Sequence, residues 1–182
     1  VEAITQLEPG SFEARIGLAA QTVGEDAGQL VNMLFGNTSL HDDVVLEDVE
    51  LPGALARAFG GPGHGPAGLR QRVAAPMRAL TCSALKPQGL PPARLAELAA
   101  RFAAGGIDYI KDDHGLADQG YSPFRARVGV VAAALRATGG AACYVPSLSG
   151  DLDAMRSQLV IAADAGLSAV MVAPMVMGLA NF

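Results

Sequence analysis

Apolar and polar residues alternate along residues 11–21, which places Phe12, Ala14, Ile16 and Leu18 on one face and predicts a half-buried strand. Gly24-Glu25-Asp26 then opens a helical stretch whose apolar positions, Leu30, Met33 and Leu34, recur at helical spacing until Gly36-Asn37 stops it. Residues 43–51 (Asp-Val-Val-Leu-Glu-Asp-Val-Glu-Leu) read as a further strand. Pro52-Gly53 and the Gly/Pro-rich run from Gly60 to Gly68 close this first part. Residues 1–76 are therefore expected to be the end of an α+β domain followed by a connecting segment.

From residue 77 the pattern changes. An apolar run from Ala79 to Leu85 reaches Lys86-Pro87, and a helix from Pro92 to Ala104 carries Leu95, Leu98 and Phe102 on one face before Gly105-Gly106. A strand over 107–113 and a polar loop follow. Ser122-Pro123 reads as an N-cap and first-turn proline for a helix through Val128, Val131 and Leu135. Residues 141–147 are a third strand, Asp151 caps a helix with Met155 and Leu159 inward, and residues 168–176 are a fourth strand. Strand starts recur about every 30 residues, the period of the unit that builds an eightfold (β/α) barrel. Four strands are half of such a barrel and leave two open edges, so the chain is expected to be a piece of a longer protein. A doubly wound sheet is the rival, but its Gly-rich phosphate turn is missing: the loop after the first strand is Pro87-Gln88-Gly89-Leu90-Pro91, whose prolines donate no amide.

Composition narrows the class. The 182 residues carry 13 Lys+Arg against 18 Asp+Glu, and 51% are hydrophobic. With a mean hydropathy of +0.30, this is enough for a packed core and excludes a disordered chain. Mild acidity without a basic run argues against nucleic acid or an anionic membrane as partner. No apolar run approaches the ~18 residues that span a bilayer, and the first residues carry no export signal, so a cytoplasmic protein is expected. Cys82 and Cys143 read as buried thiols. Met171, Met175 and Met177 read as core, and Asp118, Gln119 and Tyr121 as a solvated loop. His41 and His64 lie in loops, where His64, flanked by glycines, reads as a turn residue.

Of the 13 basic residues only two, Lys86 and Lys111, are lysines. Where arginine is so preferred, a lysine is either a chance survivor or a group that must be able to lose its proton. Both fall at the C-terminal ends of barrel strands, where such folds place their chemistry. Strand alternation puts Lys111 and Asp113 on one face, and Ile110 and Asp112 on the other. An inward ammonium beside carboxylates is either a rim salt bridge or a working group.

The segment Gly105-Gly106-Ile107-Asp108-Tyr109-Ile110-Lys111-Asp112-Asp113-His114 resembles the signature of the RuBisCO large-subunit superfamily, Gly-Gly-x-Asp-x-x-Lys-Asp-Asp-Glu. Leu46-Glu47-Asp48-Val49-Glu50-Leu51-Pro52, Gly61-Pro62-Gly63-His64-Gly65 and Ala84-Leu85-Lys86-Pro87-Gln88-Gly89-Leu90 resemble further family motifs in the same order. The resemblance implies an α/β protein: the end of a ferredoxin-like α+β N-terminal domain, then the first half of a (β/α)8 barrel over residues 77–182. It also implies that Lys111 reacts with CO2 to form a carbamate that binds Mg²⁺, a hard cation suited to oxygen ligands, with Asp113 as second ligand. Lys86 matches a lysine that exchanges protons with the substrate. A homodimer is implied as well.

Three departures redirect the expected function. His114 stands where the family has a Glu ligand, Gln88 where carboxylating members have a second lysine, and Met33 where they hold an Asn for which Asn32 would substitute. His114 is then either a metal ligand or an acid–base group, since imidazole titrates near neutrality. Gln88 and Asn32 are the substrate-side candidates. The resemblance implies a RuBisCO-like enzyme that forms a metal-stabilised enolate from a phosphorylated sugar, not one that fixes CO2. The expected reaction is a 1,3-proton-transfer isomerisation or enolisation of the methylthioribulose-phosphate type. Decarboxylation or C–C hydrolysis of a branched 3-oxo sugar acid phosphate, and a catalytically silent dimeric subunit, are the alternatives.

Overall fold

A computed structural model describes residues 1–178 of the chain. The last four residues of the expected barrel segment lie outside the described residues. Two compact units are present, Val1–Gly63 and a second that begins at His64.

The first unit opens with an antiparallel hairpin of β1 (Ala3–Glu8) and β2 (Ser11–Arg15), turned at Gly10. Helix α1 (Ala27–Phe35) follows, its start fixed by Asp26, whose side chain accepts from Gln29 N at 2.7 Å. A short helix α2 (Gly53–Ala58) ends the unit. Two expectations fail here. The strand at 11–21 stops at Arg15, and Phe12 and Ile16 are exposed. Residues 43–51 form no strand and pair with none among the described residues. Alternation alone makes no strand without a ladder partner. Asp48 instead accepts from Val49 N at 2.7 Å, a local alternative to pairing, and Glu50 forms an ion pair with Arg15 of β2.

The second unit begins with α3 (Gly65–Arg72) and continues through β3 (Cys82–Leu85), α4 (Pro92–Ala104), β4 (Tyr109–Asp112), α5 (Phe124–Ala137), β5 (Cys143–Val145), α6 (Leu152–Asp164) and α7 (Pro174–Met177). The sheet is parallel, in the order β3-β4-β5. Helix α4 covers the predicted span, with Leu95, Ala96 and Ala99 buried. It ends because Gly106, at φ +85°, lets Ile107 N reach back to Phe102 O and Gly106 N to Ala103 O, each at 3.0 Å. Gly166 closes α6 in the same way, and Asp151 caps its start as predicted, accepting from Ala154 N at 2.8 Å. The core lies between sheet and helices: Leu85, Ile110 and Tyr144 meet Leu95, Phe124, Val128, Val131 and Met155. Each such side chain contributes about 1.5–3 kcal/mol by leaving water.

Three further expectations are corrected. Residues 168–176 form no strand: only Met171 pairs, in a parallel bridge with Ser147. Pro174 lacks an N–H and starts α7, which ends the extended stretch and leaves Met175 96% exposed. The start of α5 is capped by Asp118, whose Oδ1 accepts from Phe124 N at 2.6 Å, while Ser122 is buried beneath it. Cys82 is exposed and Cys143 half-buried, and both are free thiols. Among the described residues no helix is long and apolar enough to cross a membrane.

At the N-terminal ends of β3 and β4, Asp108 is held by the Arg78 guanidinium at 2.6 Å, by Thr81 N at 2.9 Å and by Thr81 Oγ1 at 3.0 Å. The Arg78 contact comes first among the causes that hold its carboxyl far below the usual range, with burial opposing. The folded state thus binds this proton less tightly than the unfolded chain, and the stability it contributes is present at neutral pH and lost as pH falls below about 4. Arg78→Met is expected to lower the thermal midpoint at pH 7 and to show a smaller further drop between about pH 4 and 3 than the parent. A titration of the midpoint with the same acid slope in both proteins would place the acid sensitivity elsewhere.

Candidate active site

The parallel register sets Ala84 level with Lys111 and Leu85 level with Asp112. Level residues of parallel strands point to the same side, and successive residues to opposite sides. Ala84 and Lys111 therefore share one face with the residues one step past Leu85 and Asp112, namely Lys86 and Asp113. Leu85, Ile110 and Asp112 occupy the other face, against the helices, and are fully buried.

At the C-terminal end of this polar face four groups converge. Asp113 is buried, and its Oδ1 lies 3.4 Å from Lys86 Nζ and 3.4 Å from His114 Nδ1. Both are ion-pair distances, and Oδ1 accepts no hydrogen bond of good geometry. Burial alone would raise the Asp113 carboxyl. The charge of Lys86, then His114 and the Gln88 amide, outweigh it and hold the carboxyl below its usual range. The Lys86 side chain is 61% exposed and His114 72%, so both are open to a ligand at the strand ends. Lys111 is half-buried two residues before Asp113, its Nζ donating to the Asp112 carbonyl at 3.1 Å. The Gln88 side chain lies over Gly115: a Cβ there would come within 1.4 Å of Gln88 Nε2. Asn32 belongs to the other unit, exposed on α1, and its amide donates to Gln29 Oε1 at 3.3 Å.

The donor set can be tested against a divalent cation. Among the described residues no three His, Cys, Asp or Glu side chains are grouped so as to hold a metal by themselves. One buried carboxylate oxygen without a hydrogen bond is present, with an imidazole beside it and a lysine on the same face. That set fits a hard cation if Lys111 is converted to an anion. Mg²⁺ asks for only one or two protein carboxylates and keeps several waters.

The model of the ribulose bisphosphate carboxylase large chain, catalytic domain, matches residues 67–182. The chain belongs to the RuBisCO large-chain family. It is 59% identical to 5-methylthioribulose-1-phosphate isomerase of Rhodospirillum rubrum, over all of this chain and 50% of that protein. Identity to ribulose bisphosphate carboxylase-like protein 1 of Rhodopseudomonas palustris is 56%, again over all of this chain and 50% of the relative. The crystal structure of a Rubisco-like protein from Rhodopseudomonas palustris superposes with a TM-score of 0.96 at 54% identity, covering all of this chain and 54% of that one. The chain thus spans about half the length of the curated relatives it matches, and its homologues are RuBisCO-like proteins. The fold is the corresponding one: part of a (β/α) barrel preceded by the end of an N-terminal domain.

Sequence reasoning passed over the layer behind the site. Asp112 and Arg127 are both fully buried and paired, Nε to Oδ2, at 3.2 Å. Tyr144 OH donates to Asp112 Oδ1 at 2.7 Å. Burial pushes the Asp112 carboxyl up against the pull of Arg127, and Tyr144 is raised well above its usual value by burial and then by Asp112. An arginine in a helix reads as solvated, which hid Arg127. A signal was available: alternation sends Asp112 to the helix side, where a carboxylate needs a cation, and Arg127 is three residues after Phe124 on the inward stripe of α5. Asp118 and Gln119 are likewise fixed parts of the loop. Asp118 caps α5, and Gln119 donates to Gly115 O at 2.7 Å and accepts from Ala117 N at 2.8 Å.

Proposed function

We propose that this chain forms part of a RuBisCO-like isomerase that enolises a phosphorylated ketose of the 5-methylthioribulose-1-phosphate type, working as a homodimer. The observation that carries the reading is the convergence of Lys86, Asp113 and His114 at the ends of two adjacent strands, with Lys111 on the same face. The 59% identity to the isomerase of Rhodospirillum rubrum, over the whole of this chain, supports the substrate class.

Lys111, as the carbamate formed with CO2, and Asp113 would hold a divalent ion such as Mg²⁺, which would lower the cost of negative charge on the substrate oxygens. Lys86 is placed to take a proton from the carbon beside the carbonyl, or to return one, from the exposed end of its strand. Asp113 faces the Nδ1 edge of His114 and orients the ring, whose exposed body meets the substrate as the second acid–base group. Two such groups are what a 1,3-proton transfer requires, since the proton leaves one carbon and arrives at another. Gln88, over Gly115, is proposed to contact a substrate hydroxyl.

The reading is tested by incubating the intact protein with 5-methylthioribulose 1-phosphate, Mg²⁺ and CO2 in D2O and following the product by NMR. An isomerised ketose carrying deuterium is expected. Recovery of unlabelled substrate would overturn the assignment. In the same assay His114→Glu is expected to keep Mg²⁺ binding and lose at least about tenfold in turnover, within the range of a positioned acid or base. If that variant gained activity with Mg²⁺, His114 would be a metal ligand with no part in proton transfer.

A further inference from the structure

The fully buried pair behind the site is not explained by stability. Arg127 lies over the Phe124 ring, 5.5 Å from its centroid, and Asp112 sits level with the fully buried Leu85 of β3. An apolar pair of similar volume is often as stable as a buried ion pair or more so, because two charges must be stripped of water. What this pair supplies is direction. Both oxygens of Asp112 are engaged: Oδ1 accepts from Tyr144 OH at 2.7 Å, and Oδ2 accepts from Arg127 Nε at 3.2 Å and Ser147 N at 3.3 Å. The remaining fork of Arg127 donates to two carbonyls of the loop after β4, with Nη1 to Ser122 O at 2.6 Å and Nη2 to Ala117 O at 3.0 Å. One guanidinium thus ties the end of β4 to both halves of the loop that carries Asp113 and His114, while Tyr144 and Ser147 tie the same strand end to β5 and the residues just after it.

Asp112 lies between the two residues that face the site. Any shift of the backbone at Asp112 carries Lys111 and Asp113 with it, since strand neighbours are joined by a rigid peptide plane. We infer that Asp112, Arg127 and Tyr144 are positioning residues: a buried clamp on the helix side of β4 that fixes where Lys111 and Asp113 project on the opposite side. The inference rests on the reading of those two residues as the metal-holding pair. In metal sites generally, loss of an outer partner costs about 10–100-fold in affinity.

The test uses the intact protein with Tyr144→Phe, which removes one hydroxyl, and Arg127→Lys, which keeps the charge but not the fork. Leu135→Ala serves as control, a core truncation elsewhere on α5 that lowers the thermal midpoint without touching the clamp. Hydrogen exchange over residues 111–122 and calorimetric Mg²⁺ affinity under saturating CO2 are measured well below each midpoint. Both clamp variants are expected to exchange faster over 111–122 and to bind Mg²⁺ about tenfold more weakly, while the control matches the parent in both. Parent-like exchange and affinity in the folded clamp variants would overturn the inference. Failure of the parent itself to bind Mg²⁺ would overturn the metal reading of the site, and the exchange data would still decide whether the clamp orders the loop.

Discussion

Lys111→Ala is expected to abolish turnover of 5-methylthioribulose 1-phosphate and saturable Mg²⁺ binding together. Lys111 shares a face with Asp113, and without it that face offers a cation one carboxylate and one imidazole. That set is too poor in oxygen for Mg²⁺. A lysine contributes an oxygen donor only when its neutral amine attacks CO2, so the loss should be as complete in Lys111→Arg, whose guanidinium keeps its proton. Folding should be little affected, because the Nζ hydrogen bond is to the neighbouring Asp112 carbonyl and the side chain is only half-buried. Calorimetry with and without CO2 checks the claim. Mg²⁺ affinity that survives in Lys111→Ala, or that does not depend on CO2 in the parent, would remove Lys111 from the metal site.

Lys86→Ala should separate the two functions. Its ammonium is 3.4 Å from Asp113 Oδ1, on the neighbouring strand and one step beyond the last paired residues. On the proposed reading, truncation removes a proton carrier and leaves the residues proposed to hold metal in place. Turnover is expected to fall by about 10²–10⁴, the usual worth of a positioned acid or base, with the loss in kcat and not in KM. Mg²⁺ affinity should hold or rise, because a competing cation has left Asp113. An equal loss of metal in Lys86→Ala and Lys111→Ala would show that the two lysines act as one unit.

The barrel segment was legible where local chemistry decides the structure. Helix α4 carries its own apolar stripe and its own Gly106 stop, and α6 its Asp151 cap, so both were readable residue by residue. The face of β4 that bears Lys111 and Asp113 followed from the period of the pleat. Reading failed where a partner distant in sequence decides. Residues 43–51 have the alternation of a strand but no ladder, and the 168–176 stretch is limited to one bridge by Pro174. Asp118 caps α5 from six residues before the helix begins, outside the window in which a cap is sought. Arg127 was hidden because its carboxylate lies 15 residues away, on another element. The candidate site residues themselves were singled out through resemblance to a family. Without it, Lys111 beside acidic neighbours has two readings that spacing does not separate.

The two-residue period of β4 also divides labour between its faces. Odd-numbered positions, Lys111 and Asp113, project toward the candidate site, while even-numbered ones, Ile110 and Asp112, are sealed among helices. Drift in substrate preference within such a lineage can therefore proceed by exchanging loop residues such as Gln88, with little penalty in folding. The even positions resist change one at a time: replacing Asp112 strands Arg127, and replacing Arg127 strands Asp112. For directed evolution, libraries confined to the odd register of β4 and to the loops after β3 and β4 should retain far more folded members than libraries of equal size spread along the whole strand.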